Sequence, residues 1–223
     1  MGLDMRPLGK PKAGFENKYD ELFNNIRNYK SVELSFFDKL RSKKILSREE
    51  LIKEWQSIQE PAYETIKAPL VGRDEDANNW AKERYLLSNK AISEEEFIKQ
   101  YIGYYVIELG TELDGIPVYI AMHQDRHVFR GQFLTDCVDI LGEPLVSEAW
   151  NTKSAEEALD YGHRIEKAAD KIANENNLAY LKNQRVPPEV DKDTLESKLH
   201  IAFSLSKWLI FYGKNGHGYE ADY

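Results

Sequence analysis

Cysteine is nearly absent from this chain, since Cys137 is the only one in 223 residues. A lone cysteine cannot close an internal disulfide, which fits a reducing compartment and makes the cytoplasm the expected location. Long apolar runs are missing too. None approaches the roughly 18 residues that a membrane-spanning helix needs. Arg6 and Lys10 are not followed by an apolar segment, so no secretory signal is expected at this N-terminus. Gly2 invites a myristoylation reading, but Arg6 stands where that motif takes Ser or Thr. Positive charge is the minority sign: 30 Lys and Arg face 38 Asp and Glu, for a net charge of −8. A chain of that balance repels phosphate backbones unless its cations cluster, which argues against nucleic acid as a partner.

What remains is ordinary globular material, 42% hydrophobic and 12% aromatic. A fold of this length buries about 70% of its unfolded surface, enough for a core without staples. No clean linker interrupts the chain, so residues 1–223 are expected to form one domain, mainly α with a small β element. Residues 1–14 hold two prolines and three glycines and read as an extended arm, within which Leu3 and Met5 could pair briefly as a strand. Helical spacing begins at Glu16, with Tyr19, Leu22, Phe23 and Ile26 on one face, and a second run surrounds Leu34, Phe37 and Leu40.

Residues 40–55 and 86–101 align without gaps. In each copy a serine (Ser47 or Ser93) precedes a glutamate three residues on (Glu50 or Glu96), the pattern of a capping box. A duplicated helix–turn–helix unit and independent use of common helix-start chemistry both explain the echo. A further helix is expected around Trp80, and the one from Glu94 is expected to run to Gly110. Ile116, Val118, Ile120 and Met122 alternate with Pro117, Tyr119 and Ala121, which predicts a short strand. Helical spacing returns over 129–141. Ser154 with Glu157 opens another helix, in which Ala158, Gly162 and Ala169 would let a neighbour approach closely. The most hydrophobic helix is predicted over 194–212, with Gly213 as its stop and residues 213–223 as a polar and aromatic tail.

Ionisable side chains crowd against apolar sequence at one place, where His123, Asp125, Arg126, His127 and Arg130 follow the predicted strand. Such juxtapositions are where ligands and catalysts tend to lie. His123, Asp125, His127 and Arg130 are the candidate catalytic residues. Were the segment helical, His123 and His127 would lie about 6 Å apart along the axis, the spacing of many zinc ligands. Were it extended, they would lie about 13 Å apart, too far to share an ion. Gln124 stands where the zincin pattern needs a glutamate, and a third ligand would have to come from His163, His200 or His217. No metal or other cofactor is therefore expected.

Asp125 beside either histidine would make an acid–base pair, but no nucleophile is marked next to it. Arg130 at the start of a helix suits a carboxylate or phosphate, with pairing to Asp136, Asp139 or another acid as the plainer reading. Cys137 sits in an apolar helical neighbourhood and reads as inert filler. Gly213, Gly216 and Gly218 lack the following Lys-Ser/Thr of a phosphate loop, although a flexible tail could close His217 and Tyr219 over a site.

The start Met-Gly-Leu-Asp-Met, the Phe129-Arg130 entry to a helix and the late hydrophobic helix running into glycine and aromatic residues together resemble a group of uncharacterised bacterial and phage proteins. Residues 131–137 depart from that group's tryptophan-rich helix. The resemblance implies a bacterial or phage setting and packing of the N-terminus against Arg130, and it implies no activity. From the residues themselves, the expectation is a non-enzymatic, acidic helical protein that binds a protein partner. The alternative is a small-molecule or metal-dependent enzyme built on His123, Asp125, His127 and Arg130.

Overall fold

Helix-start chemistry sets much of the architecture. In a computed structural model, which describes residues 2–29, 46–110 and 127–223, the elements follow the order β1 (Asp4–Pro7), β2 (Lys10–Pro11), α1 (Glu16–Arg27), α2 (Arg48–Ser57), β3 (Gln59–Glu60), α3 (Ala62–Thr65), α4 (Glu75–Leu87) and α5 (Glu94–Tyr101). After these come β4 (Phe129–Arg130), α6 (Val138–Leu141), α7 (Glu143–Ser147), α8 (Ala155–Glu175), α9 (Leu195–Lys214) and β5 (Tyr219–Asp222). Short 3₁₀ turns occupy Ile107–Leu109, Gly131–Cys137, Glu148–Trp150 and Ala179–Asn183. The protein is mainly helical with a small antiparallel β component. Among the described residues, no helix is long and apolar enough to cross a membrane.

The chain divides into two compact units, one made of Gly9–Pro61 and the other of Met1–Leu8 with Ala62–Tyr223. In the smaller, α1 and α2 meet through aromatic rings. Trp55 lies 5.1 Å from Tyr19 and 5.8 Å from Phe23 between centroids. Ser47 caps α2 and Glu50 returns the bond to the Ser47 amide, so the expected capping box forms. β2 and β3 pair antiparallel beside it, Lys10 opposite Glu60. The predicted helical run around Leu34, Phe37 and Leu40 lies outside the described residues.

The larger unit is organised on α8 and α9. Leu199, Ala202, Leu205, Trp208, Leu209 and Tyr212 of α9 are all buried, and α8 supplies Tyr161, Ile165 and Ala169 opposite. Gly162 makes the approach possible: a β-carbon there would stand 2.9 Å from Leu209 Cβ and 3.2 Å from the Ile210 amide nitrogen. The expected capping box at Ser154 and Glu157 forms, and Thr194 caps α9. Gly213 does not stop that helix, which runs on to Lys214.

A three-stranded sheet, ordered β4-β1-β5, covers one end of this helix pair. Strand alternation sends Leu3 and Met5 inward, both fully buried, and leaves Asp4 and Arg6 on the outer face. Asp4 pairs with Arg130 on one side and Asp222 on the other. The N-terminal segment thus forms the middle strand, and the C-terminal residues form an edge. Phe129–Arg130 joins the same sheet, and a 3₁₀ turn from Gly131 follows where a continuous helix was predicted. The pull of β1 accounts for this: the Gln132 amide donates to the Leu3 carbonyl at 3.3 Å, holding the chain against the strand.

The α4–α5 pair has its own small core of Val71, Ala77, Ala81 and Val106. Here, too, the helix from Glu94 is shorter than its spacing predicts and ends at Tyr101. Ile102 leaves the helical conformation and Gly103 takes a φ of +86°, turning the chain back along residues 69–72. Tyr105 bridges Leu70, and the Val71 amide donates to the Tyr104 carbonyl at 2.9 Å. Backbone pairing with that neighbouring segment outcompetes another helical turn. The predicted strand over 116–122 lies outside the described residues.

Candidate functional site

Of the four nominated residues, His123 and Asp125 lie outside the described residues, and His127 and Arg130 are directed to different partners. Arg130 leaves β4 on the outer face of the sheet, where its Nε stands 3.3 Å from Asp4 Oδ1. Both side chains are more than four-fifths buried, which favours a fixed pair over a solvated one. Arg6 extends the network to Asp222 at 3.0 Å and Asp4 at 3.5 Å. Arg130 therefore forms an ion pair with an acid, as the plainer reading had it, and that acid is Asp4 on the neighbouring strand.

His127 is buried in an aromatic layer against α9. Its ring stacks on Tyr63 at 4.7 Å, its Nδ1 lies 2.6 Å from the Tyr212 hydroxyl, and its carbonyl accepts from Trp208 Nε1 at 3.1 Å. His217 also meets the Tyr212 ring edge to face, at 5.9 Å between centroids. Its Nδ1 lies 2.8 Å from the Leu8 carbonyl and its Nε2 2.6 Å from Thr65 Oγ1. A carbonyl only accepts, so Nδ1 carries the proton and Nε2 receives the threonine hydroxyl. The His217 that sequence places on a mobile tail is thus fully buried and tied to Leu8, just past β1, and to α3.

The other candidates are likewise held internally. His200 bonds the Gln184 carbonyl at 3.1 Å, and burial holds its pKa below the ordinary imidazole value. His163 is half-exposed on α8, 3.8 Å from Glu166. Among the described residues, no group of three or more His, Cys, Asp and Glu side chains is placed to hold a metal ion. Cys137 is buried, its thiol set toward the Lys198 carbonyl, and desolvation pushes its pKa up to about 12.

One charged cluster was not anticipated. Glu148 accepts from both terminal nitrogens of Arg164, at 2.7 and 2.5 Å, and from Lys153 Nζ at 2.7 Å. The Arg164 hydrogen bonds, followed by that from Lys153, hold its carboxyl down at about 2 against the opposing effect of burial. Both cations also lie over the Tyr161 ring, Lys153 at 4.9 Å and Arg164 at 5.5 Å. The cluster fastens the 148–150 turn to α8, and every strong donor in it faces an acceptor.

A different kind of surface lies on the α4–α5 pair. Trp80 and Leu87 are seven residues apart and share a helix face. Leu87 is 83% exposed. Tyr104 stacks on Trp80 at 5.6 Å with an interplanar angle of 14°, and remains 50% exposed. Tyr101 meets the Trp80 edge at 5.7 Å, and behind it Phe97 and Tyr85 continue the row. Trp80 Nε1 donates to Glu108, which also receives Arg84 at 3.2 Å, while the Arg84 guanidinium lies 5.0 Å from the Trp80 ring centre. The tryptophan is therefore fixed on several sides. Leu109, next to Glu108, is exposed as well. This face is aromatic, with exposed Leu87 and Leu109 beside the stacked Trp80 and Tyr104 rings.

No protein-family model, curated relative or solved structure matches the chain. The α4–α5 face is not marked in the sequence by ionisable residues crowded beside an apolar run. The i, i+7 spacing of Trp80 and Leu87 was legible, whereas the Tyr104 stack depends on the turn at Gly103.

Proposed function

We propose that this protein is a non-enzymatic protein-binding module whose contact face is the Trp80–Leu87–Tyr104 surface. The observation that carries the reading is a solvent-exposed leucine beside a tryptophan held in place by stacking, a cation and a hydrogen bond. Interfaces draw most of their binding energy from such preordered aromatic anchors, and a fixed anchor loses little side-chain freedom on binding. Of the eleven large hydrophobic side chains exposed among the described residues, six fall between Leu86 and Leu109, so the exposure is concentrated. The internal pairing of Arg130 with Asp4 supports binding by this face over anion binding at the sheet.

The test is site-specific photo-crosslinking in the full chain. A crosslinker at Leu87 is expected to give discrete adducts in native lysate that one at the exposed Lys171 does not. Excess untagged protein should abolish them, and excess untagged Leu87→Asp protein should not. Equal competition by the two would overturn the assignment.

A further inference from the structure

The charges around this face say what would cover it. On α4, Asp76 lies one turn before Trp80 and Glu83 one turn after, so both share its side of the helix with Leu87. Both are exposed, and among the described residues neither joins an ion pair. The cation on the same side, Arg84, is already held by Glu108. Contacts of Trp80 with Tyr101 and of Tyr85 with Phe97 make α4 and α5 antiparallel. The acidic start of α5, Glu94 and Glu95, thus lies at the Leu87 end of the pair. An apolar strip with an acidic border on one helix is the complement of an apolar strip with a basic border on another.

We infer that the Trp80–Leu87–Tyr104 face docks a basic amphipathic helix of another protein, with apolar side chains against Trp80 and Leu87 and Lys or Arg against Asp76 and Glu83. The inference rests on the protein-binding reading and adds the chemistry of the partner. From Asp76 to Leu87 the face runs about 16 Å, which matches about three turns of a partner helix. A second copy of this chain fits poorly, because a two-fold contact through the face would bring the same acids toward one another.

The probe is a synthetic amphipathic Leu/Lys peptide of about five helical turns, titrated against the full chain, with a Leu/Glu peptide of the same apolar pattern as control. The Leu/Lys peptide should bind at least ten-fold more tightly, and added salt should weaken it. Asp76→Lys with Glu83→Lys should invert the preference. The equally exposed remote pair Glu189→Lys with Asp191→Lys should leave it within two-fold. Leu87→Asp should weaken the Leu/Lys peptide about ten-fold.

Equal losses from the two charge-reversal pairs would mean that net charge alone attracts the peptide, and would overturn the inference. Equal binding of both peptides, lost in Leu87→Asp, would sink the basic-partner claim and leave the binding face standing. A dimer in solution that Leu87→Asp dissociates would replace the partner with a second copy. No binding of either peptide, together with no Leu87-dependent adduct in the crosslinking experiment, would remove both proposals.

Discussion

At the scale of single residues, environment decides chemistry. The Glu148 and Cys137 pKa values are shifted in opposite directions, because Arg164 and then Lys153 donate to the carboxylate whereas burial desolvates the thiol. The folded Glu148 pKa lies below its ordinary value of 4.5, so the stability it contributes is complete above that pH and is lost as pH falls toward 2. Urea denaturation across pH 2–5 should show that limb flattened in Glu148→Gln. Glu148→Ala at neutral pH should cost about 3 kcal/mol, because it leaves Lys153 buried without its acid. Cys137 should resist alkylation in the folded protein and react fully in denaturant, as followed by mass spectrometry. For Arg130 and Asp4, a double-mutant cycle read by thermal melting should give a coupling of about 1 kcal/mol. Additive effects would mean that the pair makes no contribution of its own.

Among the secondary-structure elements, helix starts were more legible than helix ends. The boxes at Ser47, Ser93 and Ser154 follow from local spacing alone, since donor and acceptor sit within one turn. Ends at Tyr101 and Lys214, and the strand at Phe129–Arg130, depend on segments distant in sequence: residues 69–72, α8 and β1. Periodicity carries no record of those neighbours. The close passage of α8 and α9 was visible in Ala158, Gly162 and Ala169. Gly162→Ala should lower stability by about 1–3 kcal/mol in urea unfolding, because rigid backbone and Cβ atoms of α9 block the new methyl. An unchanged midpoint would show that the helices can separate without cost.

For the molecule as a whole, the fold class was legible in composition and periodicity, and the candidate site much less so. His127 and Arg130 were singled out for being ionisable beside apolar sequence. The same juxtaposition arises when a histidine packs under α9 and an arginine completes a sheet-edge ion pair. Exposure, which singles out Leu87 and Tyr104, is set by tertiary packing and leaves no mark on residue type. Binding is expected to be felt at the α4–α5 pair and not at the sheet. Hydrogen–deuterium exchange of the full chain with and without the Leu/Lys peptide reads this directly. Slowed exchange confined to residues 75–109 is the predicted result. Protection that instead appears over residues 127–137 and β1, with 75–109 unchanged, would contradict it.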